Sequence, residues 1–192
     1  MKKLFALLAV ALIGTTVFAQ DGKEAEKQDS GYHFTIIKEN KITSIKDQNR
    51  AGTCWAYSGL AFLESELLRQ GKGEFNLSEM YVAYKTYLDR AMKAYRTGGE
   101  TSFSQGGAFS DVIWCLKYYG MVPEEVMRPG VMYGDTLSNH GELSTITNAM
   151  VKAASKDIKK PQVGSDGQML WFKAVDEVHQ VYLGANPTEF TY

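Results

Sequence analysis

A cysteine at the start of a predicted helix is the residue of this sequence best suited to covalent chemistry. Cys54 lies in QNRAGTCWAYSGLAFLESELLRQ, residues 48–70, directly after a glycine-containing turn. Unpaired backbone N–H groups and the helix dipole favour negative charge at a helix start, so the thiolate of Cys54 would be stabilised there. We therefore predict that Cys54 is a nucleophile. The alternative is a buried structural cysteine, which is the commoner fate of a lone cysteine.

The helix after Cys54 is recognised by its ends and by its apolar residues. Thr53 is a residue type that caps helix N-termini, and Gly71 and Gly73 would end the helix. The apolar residues cover much of its circumference, which predicts a helix buried within a domain. They are Trp55, Ala56, Leu60, Phe62, Leu63, Leu67 and Leu68.

The spacing around the cysteine resembles a known signature. Gln48, five intervening residues and then Cys54-Trp55-Ala56 with a following aromatic resemble the nucleophile motif of papain-like cysteine peptidases, most closely the bleomycin hydrolase and aminopeptidase C branch. Acyl transfer creates an oxyanion, to which a side-chain amide and the N–H of the nucleophile can donate. By the resemblance that amide is Gln48. Ala51 replaces a cysteine that many exported papain-like enzymes pair in a disulfide, and this favours the same branch.

The resemblance also implies a fold and partners. It implies an α+β papain-like cysteine peptidase fold, of which residues 32–192 form the predominantly helical, nucleophile-bearing N-terminal part while the barrel half is absent. It implies a peptide substrate, no metal and no cofactor, and a homohexamer for the complete enzyme. In the family a Gly-Gly pair contacts an extended substrate, so Gly106 and Gly107 are predicted to bind substrate. The alternative is a turn that needs positive φ.

None of the three histidines is well placed to act as the base of such an enzyme. A cysteine peptidase needs a base, usually a histidine that an asparagine orients. His33 precedes the nucleophile and is interpreted as a surface or strand-end residue, and His140 as a loop residue. His179 lies in the charged, helical DEVHQVY with no suitable asparagine after it. We therefore predict that the chain is truncated before the catalytic His and Asn, or that a second polypeptide completes it.

The N-terminus has the pattern of a secretory signal. In residues 1–19, Lys2 and Lys3 precede an apolar core, and Val17-Phe18-Ala19 forms a small-residue cleavage site. Residues 20–31 are polar and are predicted to form a flexible lead-in. The sequence thus predicts export to a bacterial periplasm or the exterior, with no membrane attachment after cleavage.

Composition limits the remaining function classes. The 192 residues are 44% hydrophobic and 22% charged, which fits one globular domain. Without residues 1–19 the chain has 19 basic and 22 acidic side chains and a formal charge of −3, so neither a nucleic-acid nor an anionic-membrane partner is predicted. Cys54 and Cys115 are predicted to be free. Cys115 lies in the apolar VIWCLKYY, where a cysteine behaves as a small hydrophobe.

The rest of the chain alternates predicted elements and loops. Short strands or extended segments are expected at residues 33–37 and 42–45, and a capping box at Asn76–Glu79 opens a helix to about Arg96. Further helices are expected at residues 108–119, 143–155 and 166–183. Two rival functions remain: a peptide-binding fragment without turnover, and a redox-active thiol protein. The second is disfavoured because neither cysteine has a resolving partner nearby in sequence.

Overall fold

A computed structural model describes residues 31–189, which fall into two units, residues 31–37 and residues 38–189. The predicted signal peptide and nearly all of the predicted lead-in lie outside the described residues. None of the helices between residues 31 and 189 is both long and apolar enough to cross a membrane.

Five α-helices make up the larger unit. They are α1 (Cys54–Arg69), α2 (Glu79–Arg96), α3 (Phe109–Tyr118), α4 (Gly141–Asp157) and α5 (Leu170–Leu183), with short 3-10 turns at Glu124–Val126 and Val131–Tyr133. Helix α2 packs against each of the other four, and α1 also packs against α3. Much of α2 is buried, and its predicted apolar stripe contributes Met80, Tyr84, Tyr87 and Ala91 to the core.

Strands are missing from the part of the chain that the structure describes. Residues 33–37 and 42–45 form no strand, so of the two predicted alternatives, short strands or extended segments, the strands are wrong. Their β-favouring side chains are exposed, including Phe34, Ile37 and Ile45, and no segment between residues 31 and 189 pairs with their backbones to make a ladder. Pairing among the described residues is limited to isolated bridges, one of which joins Arg50 to Asn139. The helical half of the predicted α+β fold is therefore present, whereas its β component is not represented here.

Two of the predicted N-caps need correction. Thr53 directly precedes α1, but its side chain makes no capping hydrogen bond, and its hydroxyl is buried without a partner among the described residues. Its ψ of 24° lies outside the extended conformation typical of a capping residue. Helix α2 is capped by Ser78 rather than Asn76, because the Ser78 hydroxyl accepts from the Tyr81 N–H at 3.1 Å. Glu79 is then the first helical residue.

The other helix boundaries lie close to prediction, with one exception. Helix α5 begins at Leu170 instead of Asp166. Residues 164–168 form a turn in which the Gly164 N–H donates to the Gln168 carbonyl at 2.8 Å and Gly167 has φ 78°. Asp166 also accepts from the Gln168 N–H at 3.0 Å, which stabilises the turn in place of a helical start.

Helix α1 is buried on one side only. Gly59 faces α3 so closely that an added Cβ would lie 2.7 Å from Val112 Cγ2. Phe62, one turn after Gly59, also contacts α3, its ring lying 5.5 Å from that of Phe109 between centroids, yet it is 55% exposed on the outer face of α1. The prediction of a helix buried around much of its circumference is therefore wrong for this outer face. Phe109, Ile113 and Leu116, spaced along one face of α3, extend the exposed apolar surface.

Candidate active site

Cys54 is the first residue of α1, and its side chain is exposed. A residue at this position has a backbone N–H without an intrahelical acceptor. The N–H groups of Ala56 and Tyr57 both donate to the Thr53 carbonyl, at 2.8 and 3.2 Å, so the first turn is well formed. The chain thus presents a thiol to solvent at a helix N-terminus, the geometry from which its nucleophilic role is predicted.

Gln48 lies on the turn before Cys54 and is half-buried. Its side-chain Nε2 donates to the Ala51 carbonyl at 3.0 Å, so the amide folds back on the turn. Asn49 adopts the left-handed region with φ 47°, and its N–H donates to Asp47 Oδ1 at 2.7 Å. Because a primary amide carries two N–H donors, one remains for another acceptor after Ala51 is satisfied.

A loop from another part of the chain lies against this turn through Gln105. Gln105 Oε1 accepts from the Gly52 N–H at 2.8 Å, and the Gln105 carbonyl accepts from the Trp55 indole N–H at 2.9 Å. The Trp55 ring fills the space beside Gly107, where an added Cβ would lie 2.4 Å from the ring. Gln105 is not recognisable from the sequence alone, since no local pattern marks a residue whose partners lie about fifty positions away.

The two glycines after Gln105 differ in what surrounds them. Neither has a positive φ, so the alternative of a turn that requires one is wrong. Gly107 is required by the close approach of Trp55, whereas a Cβ on Gly106 would meet only Ser104 Oγ at 3.9 Å. Gly106 also borders an open cleft of about 960 Å³ that runs along α2 to Phe172. Substrate binding by Gly106 and Gly107 stays a prediction. Of the two glycines, Gly106 is the one with open space beside it.

Arg90 supports the same loop from α2. Its guanidinium pairs with Asp111 at 2.8 Å and donates to the Ser104 carbonyl at 3.3 Å. It also lies 5.6 Å from the centre of the Trp55 ring, where a cation is attracted to the ring face. Asp111 in turn accepts from the Ala108 N–H at 2.7 Å. The Arg90 side chain therefore links the loop of residues 104–107, the start of α3 and Trp55, the residue after Cys54.

His140 is a loop residue, as predicted, directly before α4, and it is fully buried there. Its Nδ1 lies 3.2 Å from the Tyr87 hydroxyl, and its Nε2 has no partner within residues 31–189. Burial and the nearby His179 lower the pKa of His140 to about 4. The His140 N–H donates to the Arg50 carbonyl at 3.1 Å, so the residue supports the turn before Cys54 through its backbone.

His179 is helical, as predicted, and its ring is buried in α5. Its Nδ1 lies 2.7 Å from the Val175 carbonyl, and burial lowers its pKa. Neither His140 nor His179 reaches the solvent in which the Cys54 thiol lies, so residues 38–189 offer no exposed imidazole to act as its base. His33 is exposed in the separate unit of residues 31–37.

A buried ionic cluster holds the segment that leads into the turn. Lys46 Nζ pairs with Glu79 at 2.7 Å, lies 3.7 Å from Glu64 and donates to the Leu77 carbonyl at 3.0 Å. Glu64 is buried and accepts from the Leu77 N–H and the Thr43 hydroxyl at 2.7 and 2.6 Å. Burial outweighs the attraction of Lys46 and raises the pKa of Glu79 to about 7. The cluster ties residues 43–46 to α1 and α2.

Cys115 lies in the middle of α3 and is buried. Both cysteines are free, as predicted. Burial raises the pKa of the Cys115 thiol to about 12, and its Sγ lies 3.8 Å from the Gly120 carbonyl.

The family match covers the part of the chain that contains Gln48 and Cys54. Residues 32–84 match the family described as Papain family cysteine protease. The viral cathepsin of Lymantria dispar multicapsid nuclear polyhedrosis virus is 43% identical over 47 residues, 24% of this chain and 13% of the relative. That of Autographa californica nuclear polyhedrosis virus is 34% identical over 76 residues, 38% of this chain and 24% of the relative.

A third viral cathepsin, from Mamestra configurata nucleopolyhedrovirus, is 38% identical over 57 residues, 30% of this chain and 17% of the relative. The matched stretches thus span less than a quarter of the length of these relatives. None of these comparisons shows whether the chain is more similar to the bleomycin hydrolase branch than to other papain-like peptidases. What they show is coarser: residues 32–84, with Gln48 and Cys54 among them, are similar in sequence to the papain family of cysteine proteases.

Proposed function

We propose that this chain carries the nucleophile of a cysteine peptidase. The Cys54 sulfur attacks a peptide carbonyl carbon, and the Cys54 N–H and the free N–H of the Gln48 amide donate to the oxyanion that forms. The observation that carries the proposal is the exposed thiol at the first position of α1, preceded by a turn on which the Gln48 amide is anchored by the Ala51 carbonyl.

Completion of the reaction needs a group that this part of the chain does not offer. When the tetrahedral adduct collapses, the leaving amine must receive a proton. The imidazoles of His140 and His179 are buried in the core, away from the exposed thiol. We propose that a histidine and an asparagine from a further segment or a second polypeptide complete the site. The exposed apolar surface of Phe62, Phe109, Ile113 and Leu116 supports a missing partner of this kind.

The finer assignment is an aminopeptidase of the bleomycin hydrolase type. Its support is the motif from Gln48 to Trp55, with Ala51 in place of a disulfide-bonded cysteine. A peptide substrate would lie along Gly106, whose side facing the cleft is open. Assembly as a homohexamer belongs to the same proposal.

A second candidate is a peptide-binding fragment without turnover. The observation that favours it is the burial of both histidines of the larger unit, each with its Nδ1 close to a core partner, Tyr87 or Val175. Binding of a peptide by the Cys54→Ala variant, together with no covalent adduct at Cys54 in the natural chain, would favour this candidate over the first.

Covalent probes test the nucleophile. We expect a dipeptidyl vinyl sulfone to modify Cys54 faster than a vinyl sulfone of similar size without peptide groups, and mass spectrometry of peptide digests gives both rates. Cys115→Ala is the matched control and should react like the natural chain, whereas Cys54→Ala should form no adduct. Equal rates for the two reagents would contradict the proposal.

A matched pair of probes tests the aminopeptidase type. Two vinyl sulfones of the same sequence are compared, one with a free N-terminal amine and one with an acetylated amine. An aminopeptidase recognises the free amine, so we expect that probe to react faster with Cys54. Equal rates, or faster reaction of the acetylated probe, would exclude the aminopeptidase type and leave the cysteine peptidase proposal intact.

We also propose that the chain is exported. Its support is the sequence pattern of Lys2, Lys3, the apolar core and Val17-Phe18-Ala19. The expected mature protein begins at Gln20, which mass spectrometry of the periplasmic or secreted fraction would detect. A cytoplasmic protein that retains Met1 would contradict it.

A further inference from the structure

The peptide group between Ala51 and Gly52 is held on both sides by glutamine side chains. Its carbonyl oxygen accepts from Gln48 Nε2 at 3.0 Å, and its N–H donates to Gln105 Oε1 at 2.8 Å. In a trans peptide the C=O and N–H bonds point in opposite directions within one rigid plane. The two glutamines therefore bind opposite edges of the same peptide plane, and any rotation of that plane disturbs both hydrogen bonds.

We propose that Gln105 is a positioning residue for the oxyanion site, and that it acts through this peptide group on the Gln48 amide. The inference rests on the proposed function of Gln48 as an oxyanion donor. Gln105 need not touch the substrate: it fixes the peptide plane, the Ala51 carbonyl then fixes one N–H of Gln48, and the second N–H is aimed at the reacting carbonyl.

The turn needs such a hold because its own backbone resists rotation weakly. Gly52 lacks a side chain, and a glycine adopts many backbone conformations at little cost. Asn49 is already in the left-handed region, with φ 47°. If the plane rotated, the Ala51 carbonyl would turn away and the Gln48 amide would lose the acceptor that orients it. An oxyanion donor lowers the barrier only when its position is fixed before the reaction.

Gln105 is able to supply the hold because it is itself fixed at several points. Its carbonyl accepts from the Trp55 indole at 2.9 Å, and its Nε2 lies 3.5 Å from the His140 carbonyl. The carbonyl of the preceding residue, Ser104, accepts from Arg90 at 3.3 Å. The Cβ of Gln105 lies 3.0 Å from the position of a Cβ on Gly52, so the Gln105 side chain packs directly on the turn.

The test compares two reagents at Cys54 on the full chain. With a peptide aldehyde, the Cys54 sulfur adds to the aldehyde carbon and the thiol proton ends on the new hydroxyl, whose oxygen occupies the oxyanion site. The Kd of the peptide aldehyde therefore depends on the hydrogen bond that the Gln48 amide donates to this oxygen. Alkylation by iodoacetamide displaces iodide and forms no oxyanion, so its rate reports the thiol alone.

Gln105→Ala should weaken aldehyde binding about tenfold, the scale of a small misplacement of a reacting group. The iodoacetamide rate should stay unchanged. Gln48→Ala should weaken the aldehyde at least as much, and the double variant should bind no more weakly than Gln48→Ala alone. Gln105→Glu keeps an oxygen acceptor for the Gly52 N–H and should retain most of the affinity. Gln162→Ala, an exposed glutamine elsewhere, is the control.

Different results separate the inference from the function on which it rests. If Gln48→Ala leaves the aldehyde Kd unchanged, the oxyanion role of Gln48 is wrong and the inference falls with it. If Gln48→Ala weakens binding but Gln105→Ala does not, only the inference is overturned. Losses that add in the double variant also overturn it, because Gln105 would then act independently of Gln48. Gln105→Met, which keeps the length of the side chain, replaces Gln105→Ala if that variant does not fold.

Discussion

The surroundings of the two cysteines differ in every property that controls thiol reactivity. Cys54 is exposed at a helix start, and its neighbours are a turn and a loop joined by hydrogen bonds. Cys115 is buried in the middle of α3, where its pKa is raised to about 12 by burial. The same side chain is thus open to solvent at a helix start in one region and part of the core packing in the other.

The two regions also differ in how they are stabilised. The Cys115 region is part of the main apolar core with Val112 and Tyr81. The Cys54 turn is held by hydrogen bonds from Gln105 and His140, which come from distant parts of the chain. An exposed reactive group cannot be supported by burying it, so the polar contacts around it have to supply the rigidity.

Selective alkylation is the largest expected difference between the two regions. Near pH 6, iodoacetamide should modify Cys54 at least about 10³-fold faster than Cys115, because a buried thiol must be both uncovered and deprotonated. Mass spectrometry of digests at several times gives both rates, and Cys54→Ala shows the rate of Cys115 alone. Similar rates at the two sites would remove the physical basis of the nucleophile assignment.

The next test is whether this chain hydrolyses a substrate without a further segment or partner. We expect this chain to hydrolyse aminoacyl fluorogenic substrates no faster than its Cys54→Ala variant. General acid–base help contributes about 10²–10⁴-fold and acts together with the nucleophile, and the buried His140 and His179 cannot supply it. Robust turnover that both Cys54→Ala and His179→Ala abolish would show instead that His179 is the base.

Alanine substitutions at two adjacent glycines show how tightly the Cys54 region is packed. Gly107→Ala should lower the free energy of unfolding by about 1–3 kcal/mol, because its Cβ would overlap a Trp55 ring that Gln105 and Arg90 hold in place. Gly106→Ala, the matched control, meets only open space and should change it by about 0.5 kcal/mol or less. Urea unfolding gives both values. Equal effects would mean that the loop moves away from Trp55 at little cost.

Local patterns predicted the helices well because each one carries its own signals. The apolar stripe of α2 and the glycine stops at Gly71, Gly120 and Gly184 agree with the structure. The start of α1 at Cys54 was also predictable, since a turn with Gly52 precedes it. Predictions that needed a partner from elsewhere in the chain were weaker. Of the strand or extended segment predicted at residues 42–45, the strand is wrong because no second backbone within residues 31–189 pairs with it.

The site was predictable in part for the same reason. Cys54 and Gln48 lie within one short motif, so sequence alone could propose them together. Gln105 and Arg90 act on that motif from about fifty and thirty-five positions away, and nothing in their local sequence distinguishes them from solvent-exposed residues. The burial of His140 was missed because SNHGE has the composition of a surface loop, whereas its ring packs against Tyr87.

The smallest expected effect concerns the stability that the buried Cys115 contributes at alkaline pH. Its pKa is raised from 9.0 to about 12 by burial, so between these values the folded chain keeps a proton that the unfolded chain releases. The stability linked to this thiol is therefore fully present below pH 9 and is lost as the pH rises towards 12. From pH 9 to 10 the loss should be about 1 kcal/mol, since one pKa unit corresponds to about 1.4 kcal/mol.

Urea unfolding at several pH values would show this extra slope in the natural chain and not in Cys115→Ala. The buried tyrosines are present in both chains. An identical slope in the natural chain and Cys115→Ala would show that the Cys115 thiol releases its proton as easily in the folded chain as in the unfolded one.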